Sequence, residues 1–376
     1  MTLRIVPYTV EHEEAVRAFN ARLAEKNLDP NLYSTTFPSS HVPTWLPKRP
    51  GCDLYQEFFV AVDEGSVVRG GYILKHQSFL VNGDVLPLAA FQLPISEGVI
   101  DRRFVSLGVR LYADAARRHP YLFGLGGGGY HVPVVKFLLA AGWKTTLIPF
   151  WFRVVHPNVF LRNIATLRTS PARRGLMDVL GCTGLGWVGI KAIQGAIGKY
   201  HHSPRVTYET VPEFADWADD VWNDCKGYYS LIALRDRQDL NVLYPATDRR
   251  FVRLKVMRDG KIFGWAVLLN TQMSGHKHFG DMRVGTLVGS LAKPEDALDV
   301  VACARDVLET NGADLIVSNQ GSRAWWRALK RCGFLQGPSN LPFLASPKLV
   351  PHLEPFATNA ETFHLTRGDG DGPIHL

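Results

Sequence analysis

The sequence of 376 residues lacks the long hydrophobic runs that mark membrane and secreted proteins. No window approaches the roughly 18 apolar residues that cross a bilayer as a helix. The first residues, MTLRIVPYTVEHEE, turn acidic at once and have no apolar stretch typical of a signal peptide. We therefore expect a cytoplasmic protein without a transmembrane segment.

Cysteine is also scarce, with five residues in the whole chain. They are scattered, odd in number and nowhere at the spacing of metal ligands, so we expect reduced thiols and no bound metal. These residues are Cys52, Cys182, Cys225, Cys303 and Cys332. Asp369 and Asp371 are spaced like calcium ligands, but few oxygen ligands follow them, which favours a polar turn.

The chain has more basic than acidic residues, but the basic residues are not concentrated in one stretch of the sequence. The formal net charge is +7, which favours anionic partners such as CoA phosphates, an acyl carrier protein, tRNA or anionic lipid. A generally basic surface without a specific partner is the alternative. The basic residues stand singly or in pairs such as Arg102–Arg103, unlike the dense patch of a dedicated nucleic-acid binder, so DNA is not an expected partner.

Hydrophobic residues make up 46% of the chain and charged residues 20%, a balance that excludes disorder and allows a substantial core. The pattern of the first half predicts a mixed α/β sheet in the order β, α, three-strand meander, α, β, α, β. The predicted strands cover residues 3–6, 57–62, 66–78, 85–99, 121–125 and 146–155, and the predicted helices cover 9–25, 103–118 and 133–141.

A second cycle with a similar order begins near Val206. The paired endings Ala141-Gly142-Trp143 and Cys332-Gly333-Phe334 indicate an internal duplication. Between the two cycles, residues 175–198 are rich in glycine and aliphatic residues around Trp187, which is typical of a packed connector or of a segment on a membrane surface. We expect a first domain at 1–157, a connector at 158–204 and a second domain at 205–376.

The transition from strand to helix at residues 99–109 is the strongest candidate for a binding site. The first N–H groups of a helix lack partners and attract anions, and small residues let a phosphate approach the main chain. Arg103-x-x-Ser106-x-Gly108 resembles the pyrophosphate loop of the GNAT acyltransferase superfamily, Gln/Arg-x-x-Gly-x-Gly/Ala, with serine in place of the first glycine. The resemblance implies that acetyl-CoA or another acyl-CoA is bound by Val99, Ile100, Arg103, Phe104, Val105, Ser106, Leu107, Gly108 and Val109.

A second resemblance to GNAT proteins covers residues 131–143. His131 falls at the position of a family asparagine and Leu138 at that of the tyrosine that many members use as general acid. The tyrosine is therefore missing, and Tyr130 and His131 are the nearest substitutes. The glycine run before them allows a ligand to approach the main chain, and the resemblance implies that Gly128 and Gly129 line the pantetheine.

The transfer of an acyl group to an amine needs a group that removes a proton. Glu97 stands at the end of the strand before the phosphate loop, where GNAT proteins often place a catalytic carboxylate. The resemblance therefore implies Glu97 as the base of a direct N-acetyl or N-acyl transfer to a primary amine. A solvated glutamate at a strand end is the alternative.

The second half lacks the loop pattern at Val288–Pro294, so we expect it to complete the acceptor site or support the first half. Such a tandem pair with a degenerate copy resembles the Fem-like aminoacyltransferases. That resemblance implies aminoacyl-tRNA or an acyl carrier protein as an alternative donor, and a small molecule or cell-envelope precursor as the amine acceptor. A non-catalytic ligand-binding protein is the third possibility. Two domains in one chain suit a monomer as well as a homodimer.

Overall fold

A computed structural model describes residues 3–26, 28–29, 33–34, 36–165, 188–190, 192, 194–195, 198, 200 and 202–370. The chain divides into two compact units. Unit 1 contains Met1–Leu147, Leu231–Leu234 and Ser339–Asn359, and unit 2 contains Ile148–Ser230, Arg235–Pro338 and Ala360–Leu376. The units interleave along the chain, whereas the ranges predicted from the sequence, 1–157 and 205–376, are contiguous.

Unit 1 is a mixed sheet with helices on both faces. Its strands are β1 (Arg4–Pro7), β2 (Tyr55–Val62), β3 (Val68–Val81), β4 (Asp84–Ser96), β5 (Leu122–Leu125), β6 (Lys144–Leu147), β9 (Leu231–Ala233) and β15 (Pro342–Ala345). Its helices are α1 (Glu13–Ala24), α2 (Leu107–Arg118), α3 (Pro133–Ala140) and α9 (Phe356–Asn359). The strand order is β1-β2-β3-β4-β5-β15-β6, and β9 pairs with the end of β3.

Two cores cover the two faces of this sheet. On one face, α2 and α3 bury Leu111 and Leu138 against Tyr72 and Phe91 of the strands. On the other face, α1 buries Phe19, with neighbours, against the strands. The spacing of Val16, Phe19 and Leu23 along α1 is that of one helical face, and all three side chains are fully buried.

Unit 2 repeats the same order of elements. Its strands are β7 (Phe150–Val154), β8 (Val206–Val211), β10 (Val252–Arg258), β11 (Lys261–Gln272), β12 (Arg283–Ala292), β13 (Leu315–Asn319), β14 (Leu335–Gly337) and β16 (Phe363–His364). Its helices are α4 (Pro157–Asn163), α5 (Trp217–Cys225), α6 (Arg237–Leu243), α7 (Ala297–Thr310) and α8 (Arg323–Arg331). The main sheet has the order β14-β7-β13-β12-β11-β10-β8.

One strand of each sheet comes from a distant part of the sequence. In unit 1, β15 lies between β5 and β6 and is antiparallel to both, about 200 positions from its partners. In unit 2, β7 lies between β13 and β14 in the same way. The single strand predicted at 146–155 is therefore two strands, β6 and β7, which belong to different sheets.

The glycines of the two paired endings follow the ends of α3 and α8. Gly142 and Gly333 have φ values of +86° and +82°, a left-handed conformation that glycine adopts without strain. The predicted connector lies largely outside the described residues, as do Trp187, Cys182 and Asp371. Among the helices that the structure describes, none is both long and apolar enough to cross a bilayer.

Candidate functional site

The sheet of unit 1 opens into a fork between β4 and β5. These parallel strands pair at two positions, Ala89 with Leu122 and Ala90 with Phe123. Beyond Ala90, no described strand pairs with β4 on this edge, while β5 continues to Leu125 on its β15 side. The diverging edges leave main-chain groups of two strands facing a common gap.

A β-bulge bends β4 on one side of this gap. Gly71 of β3 is opposite Ile95 and Ile73 is opposite Gln92, so two residues of β4, Leu93 and Pro94, oppose Tyr72 alone. Leu93 has a φ of +47°, which is unusual for a residue with a side chain. Such bulges redirect the main chain locally and are frequent beside functional sites.

Helix α2 begins at the open end of the fork and presents unpaired N–H groups. The N–H groups of Ser106, Leu107, Gly108 and Val109 donate to no main-chain carbonyl in the described part of the chain. Ser106 provides no side-chain cap and no acidic residue occupies the first turn. Since the start of a helix carries a partial positive charge, this end of α2 is suited to an anion such as a phosphate.

The predicted loop residues separate into two groups. Phe104 and Leu107 are fully buried in the core, so only their main chain is available to a ligand. Val105 and Val109 expose 72% and 52% of their surface, and a Cβ added to Gly108 would meet no atom within 4 Å. The start of α2 therefore has an open, partly apolar surface beside its N–H groups.

Two further residues of the predicted loop, Val99 and Ile100, precede the start of α2. Val99 is 39% exposed and Ile100 is half-buried.

Arg103 is exposed, but its side chain is held by Asp101. Its Nε donates to Asp101, and its Nη2 donates to Oδ2 of Asp101 at 2.6 Å. This ion pair lowers the pKa of Asp101 to about 2. Arg103 has to leave Asp101 before it can bind a phosphate.

The glycine run after β5 has a main chain that other residues rarely adopt. Gly126, Gly127, Gly128 and Gly129 all have φ between +87° and +111°. Tyr130 follows with 41% of its surface exposed and its hydroxyl 3.4 Å from Thr145 Oγ1. His131 is also exposed, so both candidate acids are accessible from solvent.

Glu97 is a buried carboxylate between two arginines. Arg22 Nε donates to Oε1 at 2.6 Å and Arg69 Nη1 donates to Oε2 at 2.8 Å. Arg69 also donates to Asp63, and Arg22 donates to the carbonyl of Val68. Because both oxygens accept from guanidinium groups, this arrangement suits a carboxylate that fixes the end of β4 to α1 and β3.

Unit 2 has a fork at the equivalent place, and its own chain fills it. Strands β12 and β13 pair from Val284 to Leu287 and then diverge. Beyond that point, Gln320 bridges to Thr366 and the N–H of Gly321 donates to the carbonyl of Leu365. The buried Arg235 donates to Asp369 at 2.7 Å and to the carbonyl of Ser290 at 3.0 Å, which fixes this segment against β12.

The helix start that corresponds to α2 is also occupied in unit 2. Helix α7 begins at Ala297, with Asp296 at its N-cap and Asp299 in its first turn. Both carboxylates accept from Arg258 at 2.8 Å. Negative side chains already neutralise this end of α7, so it is a poor site for a phosphate.

Comparison of the coordinates with solved structures identifies this architecture. N-myristoyltransferase from Saccharomyces cerevisiae with bound myristoyl-CoA aligns over 92% of this chain and 79% of its own, with a TM-score of 0.52 and 12% identity. A GCN5-related N-acetyltransferase from Anabaena variabilis aligns over 91% and 72%, with a TM-score of 0.53 and 8% identity. The chain has the GNAT fold.

A third structure, a GCN5-related glucosamine N-acetyltransferase region of a fungal multi-domain β-N-acetylglucosaminidase, aligns over 92% of this chain and 38% of its own, with a TM-score of 0.51 and 11% identity. No protein-family model matches the sequence, and no curated protein is similar to it in sequence. The predicted mixed α/β class and the predicted pair of GNAT-like domains are confirmed at the level of fold.

Proposed function

We propose that this protein is an acyl-CoA-dependent N-acyltransferase that binds its donor in unit 1. The difference between the two forks supports this proposal most directly. In unit 1 the fork is free of pairing strands among the described residues, and α2 begins there without a cap or an acid. In unit 2 the chain itself fills the fork. The GNAT fold of solved acyltransferases is consistent with this division.

The donor pyrophosphate would accept from the N–H groups of Ser106 to Val109, and its pantetheine would lie along the fork. Val105 and Val109 would give apolar contact beside the phosphates. Gly128 and Gly129 would allow the main chain to approach the pantetheine, because neither glycine has a side chain to exclude it. The acyl carbonyl would then lie near the bulge at Leu93, where main-chain N–H groups can polarise it.

The transfer is direct. The nitrogen of a neutral amine attacks the thioester carbon, the C–N bond forms and the C–S bond breaks. The nitrogen loses one proton and the thiolate sulfur gains one, so a base and an acid are required in total. Glu97 as the base, and Tyr130 or His131 as the acid, remain predictions from the resemblance. The two ion pairs of Glu97 favour a positioning role for it.

The first experiment is calorimetric titration of acetyl-CoA and myristoyl-CoA into the full chain and two variants. Gly108→Trp fills the open space at the start of α2 and should abolish binding, while Gly108→Ala should retain it, because a Cβ there meets no other atom. Both variants should melt as the parent does or slightly higher, since glycine is unfavourable inside a helix.

If the parent protein binds a thioester and the Gly108→Trp variant does not, the result supports a donor site at the start of α2. The thioester that binds more tightly indicates the length of the acyl chain. If the intact protein binds neither thioester, the acyl-CoA proposal is wrong. Aminoacyl-tRNA and acyl carrier protein would then be tested as donors, followed by a non-catalytic role. Equal binding by all three proteins would place the donor elsewhere.

A further inference from the structure

A groove lined by three arginines lies between helix α2 and strand β1, which is an edge strand of the sheet of unit 1. Arg110 and Arg117 come from α2, and Arg4 comes from β1. The volume of the groove is about 440 Å³, within the range of clefts that bind ligands. The other lining residues are one acid and three apolar residues, namely Asp114, Leu3, Ile5 and Ala113. The groove therefore combines basic side chains with an apolar part.

The two arginines of α2 share one flank of the helix. Arg110 and Arg117 are seven positions apart, close to two helical turns, so their Cα atoms are about 10 Å apart. Tyr112 faces the other way, because its ring contacts those of Phe137 and Trp143. The groove thus lies on the flank of α2 that is turned away from α3 and toward β1.

Asp114, the only acid in the described lining of the groove, already has partners. Its Oδ2 accepts from the hydroxyl of Tyr72 at 2.6 Å and from Nε of Arg118 at 2.7 Å, and its Oδ1 accepts from Arg117. Only 2% of its side chain is exposed. Arg118, which does not line the groove, is enough to balance the charge of Asp114. The three lining arginines therefore leave the groove with a net positive charge.

The guanidinium groups keep hydrogen-bond donors for a ligand, since each has five N–H donors in a planar fork. Arg110 donates from Nη2 to the carbonyl of Leu3 at 2.5 Å. The side chain of Arg117 stays 78% exposed although it pairs with Asp114, and Arg4 is also exposed. Because such forks bind carboxylates and phosphates through paired hydrogen bonds, the groove is suited to an acidic ligand.

The groove begins beside the proposed phosphate site. Ser106 and Arg110 are four positions apart, which places them one turn apart on the same flank of α2. A phosphate bound by the first N–H groups of α2 would therefore lie at one end of the groove. From Arg110 the groove continues two turns along α2 to Arg117. Arginines at this separation suit two or more acidic groups rather than a single phosphate.

We infer that an acidic helix of an acyl carrier protein docks in this groove, so that the enzyme takes its acyl group from a carrier protein as well as from CoA. The inference rests on the proposed function, because it adds a second source of the donor for that same site. The chemistry is unchanged. The C–N bond forms, the C–S bond to the carrier's pantetheine breaks, and one proton leaves the amine while one reaches the released thiol.

The position of the groove favours a carrier protein over other acidic partners. A carrier protein holds its pantetheine on a serine through a phosphate, so its surface has to lie next to the helix start that binds this phosphate. Carboxylates seven positions apart on a docked helix would match the spacing of Arg110 and Arg117, because both helices have the same rise. An apolar side chain between the carboxylates would contact Leu3 and Ile5. Opposite charges on the two surfaces would also speed the encounter.

Calorimetric titration of the full chain tests the inference without requiring the acceptor. The ligands are two acyl carrier proteins of different sequence and CoA, each carrying the same acyl group. We expect both carrier proteins to bind. Their Kd should rise about tenfold or more between about 0.05 M and 0.5 M salt, because exposed charges on two protein surfaces are screened over this range.

Neutral variants test the arginines. Arg4→Gln, Arg110→Gln and Arg117→Gln combined should raise the Kd of the carrier proteins about tenfold, since each exposed ion pair contributes little and three are removed. The Kd of the CoA thioester should change less than about twofold. The pair Arg4→Gln and Arg110→Gln keeps every partner of Asp114 and should still raise the carrier Kd about fivefold. Arg49→Gln, an exposed arginine outside the groove, is the matched control. Thermal melting shows whether each variant is folded.

A carrier protein without its pantetheine separates docking from binding of the arm. It should still bind the parent protein, more weakly than the acylated form. Gly108→Trp should weaken binding of the acylated carrier and leave that of the carrier without pantetheine unchanged, because position 108 belongs to the proposed phosphate site rather than to the groove.

The outcomes distinguish failure of the inference from failure of the proposed function. If the CoA thioester binds and neither carrier protein does, the inference is wrong and the donor site stands. It is also wrong if the arginine variants weaken the CoA thioester as much as the carriers and spare the dephospho-CoA thioester, since the groove then holds the 3′-phosphate of CoA. If the carriers bind through the arginines but no CoA thioester binds, the acyl-CoA proposal fails and the docking surface stands.

Discussion

Arg22, in the last turn of α1, donates a hydrogen bond of 2.6 Å from Nε to Oε1 of Glu97, although 75 positions separate the two residues. Glu97 stands where β4 gives way to the loop before α2, and its second oxygen accepts from Arg69. The pair therefore connects α1 on one face of the sheet with the strand end that precedes the candidate phosphate site.

Replacing Glu97 tests whether this carboxylate positions the loop or accepts a proton. We expect Glu97→Gln to lower the free energy of unfolding by about 3 kcal/mol, because it leaves two partly buried arginines without their shared partner. A positioning role predicts a higher KM for the thioester and an unchanged shape of the kcat–pH profile.

Urea unfolding and the pH dependence of turnover measure these effects. Glu25→Gln, at the exposed end of α1, is the control and should match the parent in both. If turnover instead falls 10² to 10⁴-fold with the KM for the thioester unchanged, Glu97 is the base.

Asp101 pairs with Arg103, so it would compete with the phosphates of the proposed donor for this side chain. Because Arg103 lowers the pKa of Asp101 to about 2, Asp101 stays negatively charged near neutral pH and attracts Arg103. Asp101→Asn should release Arg103 and strengthen thioester binding by about threefold at low salt. The gain should shrink above about 0.3 M salt, where exposed charges are screened. Titrations at two ionic strengths check this, and weaker binding by the variant at low salt would contradict a phosphate role for Arg103.

The filled fork of unit 2 predicts how many thioester molecules bind to one chain. One thioester should bind per chain, because residues 363–369 occupy the second fork and Asp296 and Asp299 occupy its helix start. Calorimetry with a known active fraction gives this number directly. Asp369→Asn, which leaves the buried Arg235 without its carboxylate, should destabilise the protein by about 3 kcal/mol and leave the stoichiometry at one. Two sites in the parent protein would contradict this reading of unit 2.

The ionisation of Glu57 makes the stability of unit 1 depend on pH in the acid range. Its carboxylate accepts from His76 and also pairs with Lys48, and these contacts lower its pKa to about 2. A carboxyl group whose pKa is depressed on folding stabilises the native state above its unfolded pKa, and this stabilisation is lost as the pH falls toward the folded pKa. The melting temperature of Glu57→Gln should lie below that of the parent at pH 6, and the difference should vanish near about pH 2. An equal difference at both pH values would contradict the assignment.

Local signals in the sequence predicted most of the elements. The turn Asp259-Gly260 gives two consecutive residues with positive φ between β10 and β11, as its residue types indicate. The apolar side chains of Val105 and Val109 suggest a core position beside Leu111 and Ala115, but both valines are largely exposed. Phe104 and Leu107 are buried with Leu111 and Ala115 instead, so their side chains cannot contact a ligand, which the loop motif alone does not reveal.

Long-range pairings were not predictable in this way. The four residues of β15, Pro342–Ala345, carry no mark of partners about 200 positions away, because apolar strands pair with many edges equally well. Nothing in the sequence around Arg22 and Arg69 indicates that both pair with Glu97. The burial of Lys75 and Gln77 on β3 was also missed, since polar residues on a strand usually face solvent, and their burial is visible only in three dimensions.

The insertion of β15 between β5 and β6 has a consequence for biosynthesis. When the ribosome has made the first 147 residues, the sheet of unit 1 still lacks an interior strand, and it gains that strand only after Ala345 has left the exit tunnel. Unit 1 therefore cannot mature before most of unit 2 has been translated. A fragment ending near residue 160 should accumulate as an aggregation-prone intermediate, and co-expression of the complementary fragment should rescue it by supplying the missing strand in trans.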